Sequence, residues 1–220
     1  MTVPFASWLD DSHRDQLKEL VNLAMGDGAK ALSAVTQCFI QLSVPQVNQV
    51  SIQDLNKHCK FVRSDAFCCC VQEYAALGQV GWLFIAIDPK SLATYASLLD
   101  RDCVDTEDHE NMLVQLAGVL VPVILPRIAK ELRVSLKLGE VQPFVGLSEL
   151  PSVGGNANAN TNVNAVNLAF SYAVEAPIKE GELQEGKLPV LMAFDVVMRA
   201  PADMVKQLAE KFASRLDILL

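Results

Sequence analysis

The sequence predicts an α/β (α+β) fold with a pseudo-twofold repeat: a mixed, mostly antiparallel sheet with two long helices packed on it. Three observations predict it. Two long stretches, one starting near Asp11 and one from Thr106 to Arg133, carry apolar residues at helical spacing. Shorter runs such as Ala66–Ala75 (AFCCCVQEYA) and Val80–Ile87 (VGWLFIAI) read as strands. The order long helix, strands, hairpin, short helix is then followed by long helix, strand, hairpin, terminal helix. That order implies one domain over 1–220, built of two similar halves at about 12–100 and 105–220 that share a sheet.

Each element has a local reason. Ser7, Asp10, Asp11 and Ser12 are N-cap candidates for the first helix. Its periodicity extends to about Gln41, with Gly26 and Gly28 marking a kink or a close contact and Pro45 barring continuation. Val47–Ile52 alternates as a strand, and Gln53–Lys60 offers a helical turn or two. Leu77-Gly78-Gln79 separates two strand runs as a hairpin turn. Asp88-Pro89 is a cap followed by a first-position proline, opening a short helix to Leu99.

The second long helix starts acidic (Asp105, Glu107, Asp108, Glu110) and ends basic (Arg127, Lys130, Arg133), which suits the helix dipole. Pro122 and Pro126 are expected to bend or split it. Leu132–Leu138, Val166–Val174 and Val190–Arg199 read as strands, and Lys179–Lys187 as a turn. Ser152–Asn164 (SVGGNANANTNVN) reads as an exposed, mobile loop. Pro201–Leu219 closes the chain as a helix.

Composition narrows the function. The net charge is −8 with no basic run, which argues against nucleic acid and anionic membrane as partners. The longest apolar-rich run, Leu113–Leu125, is too short to span a bilayer, and the N-terminal residues show no signal-peptide pattern. Cys68, Cys69 and Cys70 are consecutive within an apolar run. On a strand they point to alternate faces and cannot jointly grip one ion. With no zinc-type spacing among Cys38, Cys59 and Cys103, the cysteines read as reduced structural thiols of a cytoplasmic protein that binds no metal. His13, His58 and His109 sit in no recognisable constellation.

One polar stripe stands out. Asp15, Glu19 and Asn22 are spaced i, i+4, i+7 and fall within an arc of about 60° on a helix. Gly26 lies on the same arc, while Leu17, Leu20, Val21 and Ala24 take other parts of the wheel. Taken alone, such a stripe is what any solvated helix face carries.

Its setting is more specific. Asp15-x3-Glu19-x2-Asn22, with Pro45 downstream, resembles the signature of the CheC/CheX/FliY chemotaxis phosphatases. The flanks Glu19–Ser33 (ELVNLAMGDGAKALS) and Val80–Leu99 (VGWLFIAIDPKSLATYASLL) resemble the same family, so the likeness covers most of the chain as a CheC-like domain. The second half departs from it. Asn111, Gln115 and Gly118 align with Asp15, Glu19 and Asn22, and Pro143 falls two residues late for the distant proline. A glycine has no amide, so one active surface is expected.

The resemblance implies hydrolysis of the aspartyl phosphate on a phosphorylated CheY-like response regulator. An acyl phosphate is already activated. The regulator supplies the phosphoryl group and its Mg²⁺, so this chain needs no cofactor of its own. What remains is to hold a water in line. A neutral amide both donates and accepts without repelling phosphoryl oxygens, which assigns that role to Asn22. Glu19 is placed to pair with a lysine of the regulator, Asp15 to extend that contact, and Gly26 to leave clearance for the partner. Other readings stay open: a non-catalytic CheC-like binding or adaptor module that docks a regulator or another chemotaxis protein, and a structural assembly module like those of the flagellar switch. A homodimer is compatible with each.

Overall fold

The computed structural model describes residues 11–48, 68–145, 165–175 and 190–219. The elements are α1 (Asp11–Thr36), β1 (Phe39–Leu42), β2 (Gln46–Asn48), β3 (Cys68–Ala76), β4 (Gln79–Ile87), α2 (Pro89–Leu98), α3 (Thr106–Leu132), β5 (Leu136–Val145), β6 (Ala165–Glu175), β7 (Val190–Pro201) and α4 (Ala202–Leu219). The strands form one seven-stranded sheet in the order β1-β6-β7-β4-β3-β5, with β2 also paired to β6. Every described pairing is antiparallel. Exchange β1 with β5, β3 with β6 and β4 with β7, and the order reads the same from the other edge.

The long helices are amphipathic, and the sheet supplies the surface each needs. Leu17, Leu20, Val21, Ala24, Met25 and Leu32 of α1 are buried. So are Leu113, Leu116, Leu120, Ile124 and Ile128 of α3, at three- and four-residue steps. They join one core with alternate sheet residues, among them Ile85, Tyr172, Phe194 and Val196. Full burial of such a side chain contributes about 1.5–3 kcal/mol, so these faces hold both helices to the sheet.

Local chemistry sets most boundaries. Leu77 (φ 54°) and Gly78 (φ 73°) both lie in the left-handed region, as a two-residue hairpin between β3 and β4 requires. Asp88 caps α2 by accepting from the Ser91 N–H at 2.9 Å, with Pro89 at the first turn. Asp105 and Asp108 form a reciprocal capping box at the start of α3. The backbone N–H groups of Val104 and Asp105 hold the Asp108 carboxyl below the usual range.

Three of the helix readings need correction. The first helix stops at Thr36, not near Gln41, because Gln37 turns left-handed (φ 56°) and Phe39–Leu42 continue as an edge strand. Pro45 is therefore not its stop; it is buried between β1 and β2, well past the helix end. Nor do Pro122 and Pro126 split α3, which runs unbroken for 27 residues. Both prolines are exposed, so the carbonyls of Gly118 and Pro122, which lose their N–H partners, lie on the side that water can reach.

The strand expected from Leu132 begins at Leu136 instead, after left-handed Arg133 (φ 51°) ends α3. It continues to Val145, with a bulge opposite Glu73 where Gly139 sits close to the β3 backbone. The readings of Ser7, Asp10, Gln53–Lys60, His58, Cys59, Ser152–Asn164 and Lys179–Lys187 lie outside the described residues.

By length and composition α3 as a whole could cross a bilayer, unlike the shorter apolar run within it. Here 56% of its apolar window is buried inside the fold, so core packing accounts for its apolarity. Cys68, Cys69 and Cys70 are each at most 2% exposed. Burial pushes the Cys68 thiol up to about 11, helped by Cys103 and Asp88, and the Cys70 thiol up to about 12. Among the described residues no three His, Cys, Asp or Glu side chains are grouped to hold a metal ion.

Candidate functional site

The site is built on α1, whose orientation is fixed by what it buries. Leu17, Leu20, Val21 and Ala24 face the core, each no more than 1% exposed. Asp15, Glu19 and Asn22 are thereby turned outward, and all three are exposed. Rise alone puts Glu19 and Asn22 about 4.5 Å apart along the axis, and Asp15 about 6 Å beyond Glu19. Gly26 continues the line, and a Cβ built on it meets nothing within 4 Å.

The three polar groups differ in how engaged they are. Asp15 pairs with Lys18 at 3.0 Å on the same helix. Both ends of that pair are exposed, so it stabilises little. Glu19 and Asn22 have no hydrogen-bond or ion-pair partner among the described residues. Pro45 lies on another element, buried in the connection between β1 and β2.

A neighbouring element holds this helix in place. Asp27, which the sequence gives only as a polar residue between two glycines, pairs across to Arg127 of α3 at 3.2 Å. Arg127 also meets Glu131 at 3.1 Å. Lys30 approaches Asp27 from the same helix at 3.7 Å. This network ties α1 to α3 one turn beyond Asn22. No sequence signal links Asp27 to Arg127, because their separation along the chain is closed only by the fold. The fold also buries Asp195, Arg199 and Asn167, three polar residues of β6 and β7 that the pattern of strands did not single out. Ser171 donates to the Asp195 carboxylate, and Arg199 donates to Asn167 Oδ1 at 3.2 Å.

The aligned positions of the second half lie on α3. Asn111 and Gly118 are exposed and Gln115 is half-buried. A Cβ on Gly118 would meet nothing within 4 Å. With Val114 (41% exposed), Pro122 and Pro126, this face has the amide Gln115 where α1 carries the carboxylate Glu19, and no side chain at all where α1 carries Asn22.

No protein-family model matches the chain, and no curated protein matches it. Solved structures do match. FliY of Thermotoga maritima superposes with a TM-score of 0.65 at 17% identity, over 94% of this chain and 98% of that one. The FliM middle domain from H. pylori gives a TM-score of 0.58 at 8% identity, over 92% and 99%. The chemotaxis protein CheX from Desulfovibrio desulfuricans gives 0.53 at 8% identity, over 83% and 99%. The chain has the α+β fold that the CheC/CheX/FliY proteins share.

Proposed function

We propose that this chain is a phosphatase of a phosphorylated CheY-like response regulator, acting in chemotaxis or related two-component signalling. In this reading the chain is a single domain of two similar halves, about 12–100 and 105–220, with one active surface. The observation that carries the proposal is the pair Glu19 and Asn22: exposed, unpartnered among the described residues, and held on a helix whose opposite face is locked in the core. A side-chain amide with no internal partner is free to bind a water and the partner's phosphoryl group together. Because the helix backbone is fixed, the amide does not have to be ordered on binding, which favours an in-line geometry.

Asn22 orients the attacking water, Glu19 pairs with a cation beside the phosphoryl group, Asp15 extends that contact and Gly26 leaves clearance. The chain binds no cofactor for this; the Mg²⁺ belongs to the regulator. The likeness of fold to FliY and the FliM middle domain supports a second reading, an assembly module of the flagellar-switch kind, which needs neither Glu19 nor Asn22. One measurement separates the two: the rate of aspartyl-phosphate loss from a CheY-like regulator, with and without this protein. Acceleration supports the phosphatase. An unchanged rate, with the regulator shown to be phosphorylated, rejects it.

A further inference from the structure

The exposed line on α1 does not end at Gly26. Ala29 and Ser33 follow Asn22 at i+7 and i+11, and with Gly26 they span about 60° of arc. Beyond Gly26 the line enters an open groove of about 500 Å³ between the last turns of α1 and the edge strand β1. The helix lines it with Ala29, Lys30, Ser33 and Ala34, and Gln37, Phe39 and Ile40 complete the lining. Ser33 donates to the Cys38 carbonyl at 2.7 Å, and Gln37 Nε2 donates to the Ala34 carbonyl at 2.7 Å, so both polar side chains are engaged within the fold. What the groove offers a partner is apolar surface, with Phe39 58% exposed, and one cation. The Lys30 side chain is 84% exposed and meets Asp27 only at 3.7 Å, while Asp27 already holds Arg127 at 3.2 Å.

We propose that this groove is a second foothold for the response regulator, taking an apolar side chain of the regulator with a carboxylate beside it that meets Lys30. The inference rests on the phosphatase reading, which seats the regulator on this helix face. Size supports it. A stable interface covers about 800 Å² on each partner, a disc of roughly 16 Å radius. By rise alone Ala29 lies about 10 Å beyond Asn22 and Ser33 about 16 Å. A regulator with its phosphoryl group at Asn22 therefore reaches the start of the groove. The surface between is low: Gly26 has no side chain, Ala29 has one methyl, and a Cβ on Gly26 would meet nothing within 4 Å.

Charge gives the contact a direction. Lys18 offsets Asp15 at 3.0 Å, and Asp27 is shared between Lys30 and Arg127, which leaves Glu19 and Lys30 as the charges a partner reads along the line. They stand about 16 Å apart along the axis. A regulator with a cation beside its phosphoryl group and an acid at that distance fits one way round, and turned end for end it opposes like charges. The groove itself touches no reacting atom. It holds the regulator with or without its phosphoryl group, so it sets how much regulator is needed and leaves the rate within the bound complex to Asn22.

The test is titration of the full chain with a CheY-like regulator, both unphosphorylated and loaded with beryllium fluoride as a stable phosphoryl analogue, beside the rate of phosphoryl loss. Phe39→Ala is expected to weaken binding of both forms by about 10- to 30-fold, as loss of a buried aromatic anchor does. The half-saturating regulator concentration should rise by the same factor, with most of the saturated rate retained. Lys30→Glu is expected to slow association, most of all at low salt. Leu138→Ala, exposed on the opposite edge strand β5, is expected to change neither. Should Phe39→Ala fail to fold, Lys30→Glu decides, and an unchanged association rate overturns the proposal. Full affinity in folded Phe39→Ala also overturns it, even where that variant alters self-association of the chain. So does a loss confined to the saturated rate. A wild-type chain that binds the regulator without accelerating phosphoryl loss sinks the phosphatase reading alone, and the groove is then judged by the affinities. A chain that binds neither form sinks both.

Discussion

Gly28 of α1 and Ile124 of α3 touch where the two long helices meet: a Cβ on Gly28 would stand 3.1 Å from Ile124 Cγ1. The alignment that sets Asn22 against Gly118 also sets Gly28 against Ile124, so the corresponding residues of the two halves are the ones in contact. The same Cβ would lie 2.6 Å from Tyr172 Oη, which donates to the Met25 carbonyl at 3.2 Å. The Tyr172 ring is fixed by stacking on Phe194, with centroids 5.1 Å apart.

Gly28→Ala therefore overpacks a site that has little room to give. A destabilisation of about 1–3 kcal/mol is expected, despite the better helix propensity of alanine. Urea unfolding measures it. A variant as stable as wild type would show that Tyr172 and Ile124 can move aside freely.

Gly118→Ala should have the opposite sign. Nothing stands within 4 Å of its Cβ, so only the helix-propensity gain of up to about 1 kcal/mol remains. Phosphatase activity should be unchanged, as it should for Gln115→Ala. Destabilisation of Gly118→Ala would reveal a contact on that face, and an activity loss in Gln115→Ala at constant melting temperature would point to a second active surface.

Asn22→Ala should abolish acceleration of regulator dephosphorylation. An oriented polar group in such a site is commonly worth a factor of about 10²–10³. Because Asn22 is exposed and bonds to no described residue, the thermal midpoint should hardly move. Full activity in a folded variant removes Asn22 from the mechanism.

Glu19→Lys should act on the encounter. Reversing the carboxylate places like charges together if a partner cation faces it, at a cost of several kcal/mol in a desolvated contact. Titration against the phosphorylated regulator should show weakened affinity with an unchanged melting temperature. Equal affinity would mean that Glu19 faces solvent in the complex.

Alkaline pH should loosen the fold. An exposed thiol ionises near pH 8.5, whereas Cys68 and Cys70 hold their protons to about 11 and about 12. Between these values the unfolded chain has released protons that the folded one keeps, so stability falls as pH rises. The contribution is complete below about pH 8.5 and lost by about 12. Denaturant midpoints from pH 8 to 11 check the slope. Replacing both thiols by alanine should reduce the slope below about pH 10, where buried Tyr74, Tyr95 and Tyr172 do not yet contribute, and an unaltered slope there would assign the effect to other groups.

The sequence by itself determined the elements whose causes are local. The two helical apolar stripes, the Leu77-Gly78 turn, the Asp88-Pro89 cap and the acidic start of α3 are each legible within a few neighbouring residues. So is the outward direction of Asp15, Glu19 and Asn22, since burying Leu17, Leu20 and Val21 leaves that arc nowhere else to point. The end of α1 was not legible: apolar residues continue past Thr36, and the backbone turn at Gln37 carries no glycine to announce it. Pro122 and Pro126 misled because a proline's effect depends on whether its freed carbonyl faces water or core. The tertiary structure alone decided that Asp27 meets Arg127, that Gly28 is packed while Gly26 is open, and which strands form the edges. Each of these is a contact between segments far apart in the chain, and local propensity carries no information about which distant surface will arrive.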